Sequence, residues 1–284
     1  MLIRCWGARG SIAVSGQEYL AYGGDTTCIE IRTKDDDIII IDAGSGIRRL
    51  GNALLKENRQ EISLVFTHAH WDHILGFPFF KPIYFSKTSI TMYGCPFAQN
   101  SIQDLVLKPM NPPYFPIKFD EVKAAIRTGK ECTTRFFIKS MEVVPILLSH
   151  PNQGIGYKFI EDGKSFVFLT DNELTYRHPG GLLYEDYAAF ARGADLLIHD
   201  AEYTPEEYRR TRMWGHSTYV DALRLAIDAG VKRFGLFHHN QDRSDGAVDG
   251  LVAACRVYRY SGHTNRSPAP CSPLLRPLQG EGCG

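Results

Sequence analysis

The stretch LVFTHAHWDHILGF, residues 64–77, places His68, His70, Asp72 and His73 within six positions, directly after an apolar run. That run reads as a buried strand, and polar side chains at its end are costly to desolvate unless something holds them. A single histidine there is ordinarily a hydrogen-bonded core residue. Four groups at H-x-H-x-D-H spacing are a ligand set, because imidazole and carboxylate are what zinc or a comparable divalent ion takes. His68 and His70, two apart on extended backbone, point the same way. Asp72 and His73 fall on the turn that follows. Four donors exceed what one tetrahedral ion with an open position uses, so the spacing predicts two adjacent ions sharing the motif.

Two ions need further ligands from other strand ends facing the same cleft. His150 ends VVPILLSH, Asp171 ends FVFLTD, and His238 and His239 together end RFGLFHH. Each is a weak signal alone, since polar residues commonly terminate strands; with the cluster they complete two sites. Asp42 closes DIIIID before a glycine-containing turn. It reads either as a strand terminator or as an acceptor orienting a ligand histidine, and its place beside the cluster favours the second.

Outward from the motif, LIRCWG (2–7), CIEIRT (28–33), DIIIID (37–42), ISLVFT (62–67) and SITMYG (89–94) read as strands between turn signals. GIRRLGNALLKEN (46–58) has helical apolar spacing, and FDEVKAAIR (119–127) reads as a shorter helix. Strands resume at EVVPILLSH (142–150) and in IGYKFIEDGKSFVFLTD (155–171), where Asp162-Gly163 marks a hairpin turn. DLLIHDA (195–201) and RFGLFHH (233–239) flank a helix in STYVDALRLAIDAG (217–230), with Ser217 as N-cap and Gly230 at its end. Apolar strands interleaved with amphipathic helices predict an α/β fold of layered sheets covered by helices.

Of the 284 residues 44% are hydrophobic and 23% charged, enough for a sizeable core. Lys plus Arg and Asp plus Glu both total 32, so the zero net charge argues against bulk electrostatic capture of nucleic acid or an anionic membrane. The start, MLIRCWGARGS, does not read as a signal peptide, and apolar runs are strand-sized, below the roughly 20 residues of a membrane span. Seven scattered cysteines without a C-x-x-C predict free thiols in a reducing cytoplasm. Residues 1–256 read as one domain. Residues 257–284 are proline-rich and aperiodic, and read as a disordered tail.

IIIIDAGSG, THAHWDH, His150, Asp171 and His238 together resemble the five motifs of the metallo-β-lactamase superfamily. The resemblance implies a four-layered αββα sandwich holding two divalent metal ions, zinc first and manganese second. One ion would be held by His68, His70 and His150, and the other by Asp72, His73 and His238. Asp171 would bridge them, with Asp42 in support. His238 rather than His239 takes the ligand role because the family's last ligand follows Leu-x, here Leu236-Phe237.

The longer stretch WGHSTYVDALRLAIDAGVKRFGLFHHN (214–240) resembles ribonuclease Z and the related cyclic-phosphate phosphodiesterases, including phage-encoded enzymes that degrade cyclic pyrimidine nucleotides. An aspartate at Asp171, where the commonest zinc β-lactamases carry cysteine, fits that branch. A histidine at His70, where flavodiiron oxidoreductases carry glutamate, argues against them. The resemblance gives His216 the task of assisting the departing oxygen, with Glu202 beside it, while Asp72 and Asp171 serve a hydroxide between the ions. Arg9, Trp71 and His239 are expected to contact substrate. The expected substrate is a small cyclic phosphate: 3′,5′-cyclic nucleotides first, ribosyl cyclic phosphates next. tRNA 3′-end cleavage is the runner-up and a homodimer the expected assembly. A non-catalytic metal- and nucleotide-binding module is the alternative from another class, and metal content separates it from the enzyme.

Overall fold

Four consecutive isoleucines, Ile38–Ile41, are all buried, and the two-residue period of a strand sorts them. Ile39 and Ile41 pack with Tyr157, Phe159 and Phe168, whereas Ile38 and Ile40 pack with Leu50 and Leu54. A strand buried on both faces needs a layer on each side.

The computed structural model describes residues 1–94, 104, 106, 108–129, 134–260 and 271–273. The first sheet runs in sequence order through β1 (Leu2–Gly7), β2 (Cys28–Arg32), β3 (Ile38–Ile41), β4 (Glu61–Val65), β5 (Ser89–Tyr93) and β6 (Ala125–Thr128). β1 to β3 are antiparallel neighbours, and β3 to β6 are parallel. Helix α1 (Ile47–Lys56) covers its outer face, and a short helix α2 (Trp71–Ile74) follows β4. The second sheet comprises β7 (Phe136–Ile138), β8 (Met141–Leu148), β9 (Gly154–Glu161), β10 (Lys164–Leu169), β11 (Leu196–Asp200), β12 (Phe234–Phe237) and β13 (Cys271–Pro273), paired in chain order. Between and after these strands come α3 (Tyr184–Ala191), α4 (Pro205–Thr211), α5 (Tyr219–Asp228) and α6 (Asp245–Tyr260).

The same alternation builds the second half. Phe166 and Phe168 face the first sheet, while Val167 and Leu169 pack with Tyr187 of α3, Leu223 and Leu225 of α5, and Leu251 of α6. The result is a four-layered αββα sandwich with an apolar layer at each of its three internal boundaries. The β9–β10 turn places both Asp162 (φ 48°) and Gly163 (φ 72°) in the left-handed region, as a tight hairpin of this kind requires.

Three local expectations change. FDEVKAAIR is not a helix: Phe119–Glu121 form one 3₁₀ turn, and Ala125–Thr128 pair parallel with β5 as β6. Nine residues are marginal for helix nucleation, whereas β5 offers them a ready ladder. The N-cap of α5 is Thr218, whose hydroxyl accepts the Asp221 N–H at 3.1 Å. Ser217 instead accepts the Leu174 N–H at 3.0 Å and donates to the Asn172 carbonyl at 2.6 Å. Helix α6 crosses the expected boundary at 257 and runs to Tyr260, and Cys271–Pro273 pair with β12; the other tail residues, 261–270 and 274–284, lie outside the described ones. Cys5 and Cys28 are free thiols, and no helix among the described residues is long and apolar enough to cross a membrane.

Candidate metal centre

The polar residues singled out in the sequence follow the C-terminal ends of strands. Asp42 follows β3, His68 follows β4, His150 follows β8, Asp171 follows β10 and His238 follows β12. In an α/β sheet these ends border the crevice where ligands bind. Three of the residues turn out of the ladder with left-handed backbone: Asp42 (φ 61°), Asp171 (φ 60°) and His238 (φ 54°). Non-glycine residues adopt that conformation rarely and at a cost, and Asp and His tolerate it better than branched side chains do.

Asp171 stands at the centre. Its Oδ2 lies 3.3 Å from His68 Nε2, 3.3 Å from His73 Nε2, 3.5 Å from His238 Nε2 and 3.8 Å from His150 Nε2. On one side, His150 Nε2 is 3.0 Å from His70 Nδ1. On the other, Asp72 Oδ2 is 3.0 Å from His238 Nε2 and 3.4 Å from His73 Nε2. Two donor sets result, His68, His70, His150 and Asp171, and Asp72, His73, His238 and Asp171, each with its atoms within 4.8 Å of one another. All of these residues are buried except the partly exposed His70.

The far nitrogen of each buried imidazole is held from behind, which fixes the ring. His73 Nδ1 faces Asp42 Oδ2 at 2.8 Å, His238 Nδ1 faces Glu202 Oε2 at 2.9 Å, and His150 Nδ1 faces the Gly215 carbonyl at 2.9 Å. His68 Nδ1 is 3.0 Å from Thr67 Oγ1, which itself donates to Asp42. Such acceptors fix the tautomer that leaves the opposite nitrogen free for a metal. The Nε2 atoms of His68 and His73 are buried without a hydrogen-bond partner, as ligand nitrogens are before an ion is added. The donor set therefore fits divalent cations.

Electrostatics divide the two halves. Burial, helped by the neighbouring rings, pushes His68 down to about 3 and also lowers His70 and His150, so these imidazoles are neutral and offer lone pairs. In the other half burial opposes the charged rings, but Asp171, Asp72 and their neighbours outweigh it and raise His73 and His238 well above the ordinary value. The carboxylates Asp72 and Asp171 are held low despite burial by those same rings. Two buried acids drawing protons onto their neighbours mark a place where cations are stabilised.

Two glycines allow this crowding. A β-carbon at Gly10 would collide with the His238 imidazole, and one at Gly215 would collide with that of His150. Gly215 also sits at φ 97°, where an L side chain is strained.

His216 lines the same cleft, of about 330 Å³, with Ser11, His70, Trp71, Asp72, Asp171 and His238. Its ring stacks on His238 at 4.6 Å, and its Nδ1 lies 3.5 Å from Glu202 Oε2 and 3.6 Å from Asp200 Oδ2. Burial disfavours the imidazolium, but Glu202 and Asp200 prevail and raise its pKa.

Two of the residues expected to meet substrate are elsewhere. Arg9 is 1% exposed, donating to the carbonyls of Asn240 (3.1 Å), Arg243 (2.8 Å) and Gly23 (3.1 Å). It ties the β1 exit to the segment after β12, with Nη1 and Nη2 both committed to backbone carbonyls. His239 is 1% exposed, and the positive charge of Arg9 and Arg243 adds to burial in pushing its pKa down to about 3. Its neighbour His238 takes the position facing Asp171. Trp71 does border the cleft, 73% exposed.

Sequence reading missed four supports. Thr67 bridges Asp42 to the cluster, and the Ser11 N–H donates to Asp72 Oδ2 at 3.0 Å. Asp200 accepts the Ser217 N–H at 2.8 Å. Buried Glu173 accepts from His178 (2.7 Å) and from the N–H groups of Met213 and Gly215 (2.8 Å each), holding the loop that carries His216. Only the pairing across distant loops reveals these roles; HDAEYT, which contains Asp200, was the nearest available signal.

Asp42→Asn tests the support directly. The amide has one acceptor oxygen, so it cannot accept from the Thr67 N–H at one position and from Thr67 Oγ1 and His73 Nδ1 at the other, and metal affinity should fall roughly 10–100-fold, the usual effect of losing such a partner. Titration with a competing chelator measures this, and unchanged affinity would reduce Asp42 to a strand terminator.

A paired His/Asp centre at the strand ends of an αββα sandwich defines the class of metallo-β-lactamase-fold proteins. The family model described as the beta-lactamase superfamily domain matches residues 38–239, and the chain belongs to that family. It is 25% identical to the ribonuclease Z of Haloferax volcanii over 250 residues, covering 72% of this chain and 76% of that protein. Among solved structures, a diphosphatase from the PhnP family superposes with a TM-score of 0.66 at 18% identity, covering 97% of this chain and 95% of that one. The short form of human tRNase Z superposes with a TM-score of 0.60 at 19% identity, covering 85% and 94%.

Proposed function

We propose that this chain is a binuclear metal-dependent phosphodiesterase that hydrolyses small cyclic phosphates, 3′,5′-cyclic nucleotides foremost. The observation that carries the reading is the position of Asp171 Oδ2, between 3.3 and 3.8 Å from histidine nitrogens of both donor sets. The similarity to a protein named ribonuclease Z supports the phosphodiester class.

His68, His70 and His150 would hold one cation, Asp72, His73 and His238 the other, and Asp171 both. Zinc suits the histidine-rich half, and manganese suits the carboxylates as well. Bound there, the two ions supply Lewis-acid stabilisation of the phosphoryl charge and activate water. The residues around them do the rest. His216 turns Nδ1 towards Glu202 and Asp200, which keep a proton on the ring, so Nε2 is the atom that serves the departing oxygen. Glu202 also accepts from His238 and from Asn240 Nδ2 at 3.1 Å, so one carboxylate orients a ligand and the acid together.

A zero net charge supports a small substrate over a tRNA. Cleavage of tRNA 3′ ends is the second reading, favoured by the ribonuclease Z relatives. A homodimer in a reducing cytoplasm completes the proposal, its compartment supported by the free thiols of Cys5 and Cys28.

The deciding experiment assays the metal-loaded protein against 3′,5′-cyclic nucleotides, a ribosyl cyclic phosphate, precursor tRNA and a lactone, each with and without chelator. Turnover should be greatest on a cyclic nucleotide and vanish on chelation. Preference for precursor tRNA would transfer the assignment to the second reading. Full activity after thorough demetallation would refute the metal centre.

A further inference from the structure

A second pocket, of about 240 Å³, opens beside the metal cleft and shares Ser11, Trp71 and Asp72 with it. Its other walls include Ile12, Leu75 and Phe79, with Arg48 among the lining residues. The apolar side chains are unusually open: Trp71 is 73% exposed, Ile12 61% and Phe79 53%. Of the aromatic run after the metal motif, Phe77 and Phe80 are wholly buried in the core beneath, so only Trp71 and Phe79 are turned outward. Phe79 is held edge-on by Phe115, with ring centroids 5.6 Å apart. Trp71 lies between His70 and Asp72 in the chain, which fixes the pocket's position relative to the metal centre.

Arg48 is exposed and makes no ion pair among the described residues. Aromatic faces next to an uncommitted guanidinium suit a flat heteroaromatic ring with acceptor atoms on its edge: the faces stack and the guanidinium donates. A bare sugar phosphate offers no such face, and an aliphatic chain offers nothing to the guanidinium.

We infer that this pocket is a nucleobase subsite, formed by Trp71, Phe79 and Arg48, that receives the base of a substrate whose phosphate lies in the metal cleft. The inference rests on the phosphodiesterase reading and narrows it to diesters that carry a base, setting ribosyl cyclic phosphates aside.

The test is calorimetric binding of product-like ligands to the metal-loaded full-length protein, comparing adenosine and uridine 5′-monophosphates with ribose 5-phosphate. Base stacking of ordinary strength should favour at least one nucleotide by about 5- to 100-fold over ribose 5-phosphate. Phe79→Ala should remove most of that preference while shifting ribose 5-phosphate affinity less than about twofold, because Phe79 lines this pocket and not the metal cleft. Arg48→Met should lower the preference without abolishing it. Equal affinity of the wild type for nucleotide and ribose phosphate would overturn the inference, as would variants that weaken both alike. Base preference without hydrolysis of any diester would instead sink the catalytic reading and leave the subsite standing.

Discussion

Asp171→Asn should strip metal from both halves of the centre at once. The asparagine keeps the shape and tolerates the left-handed backbone at φ 60°, so folding is preserved while the charge goes. Oδ2 is the atom common to both donor sets, so its neutralisation weakens both ions rather than one. Metal per chain, measured by mass spectrometry, should fall well below two, and turnover of every phosphodiester should drop by at least roughly 10²–10³-fold, the scale of losing one preorganised charge stabiliser. A variant that retained both ions and near-wild-type turnover would show that the two sets are held independently, and Asp171 would lose its bridging assignment.

His216→Ala should do the opposite: keep the metal and lose the chemistry. Its imidazole is absent from both donor sets around Asp171; it groups with Glu202 and His238, and its Nδ1 faces Glu202 and Asp200. Turnover of a cyclic nucleotide, whose alkoxide leaving group needs a proton, should fall by roughly 10²–10⁴-fold. Bis(p-nitrophenyl) phosphate departs as an acidic phenolate and should suffer far less. That selectivity is the readout a purely structural histidine would not produce. Equal slowing of both substrates, or loss of metal, would make His216 a packing residue for His238, on which it stacks.

Arg9 and His216 have similar local sequence and opposite fates. Both sit beside glycine near a strand or helix end, and both were expected at the substrate. Arg9 turns inward to three backbone carbonyls, and His216 faces the cleft. Nothing in the residues flanking Arg9 distinguishes a guanidinium that binds phosphate from one that binds carbonyls, because its partners Gly23, Asn240 and Arg243 come from distant segments. The same holds for Glu173, whose importance depends on a loop about forty residues downstream.

The sequence by itself determined the layers and the residues that gather as candidate ligands. Alternation in Ile38–Ile41 and Phe166–Leu169 specifies strands buried on both faces, and H-x-H-x-D-H spacing concentrates donors of the kind a metal takes. Both are short-range patterns, set by the strand period and by ligand chemistry. Tertiary structure alone decided that Arg9 and His239 are buried away from the cleft, which of the aromatics open towards solvent, and which carboxylates stand behind His73 and His238. Those outcomes depend on how strand ends from two sheets meet across the sandwich, and no local period encodes that meeting.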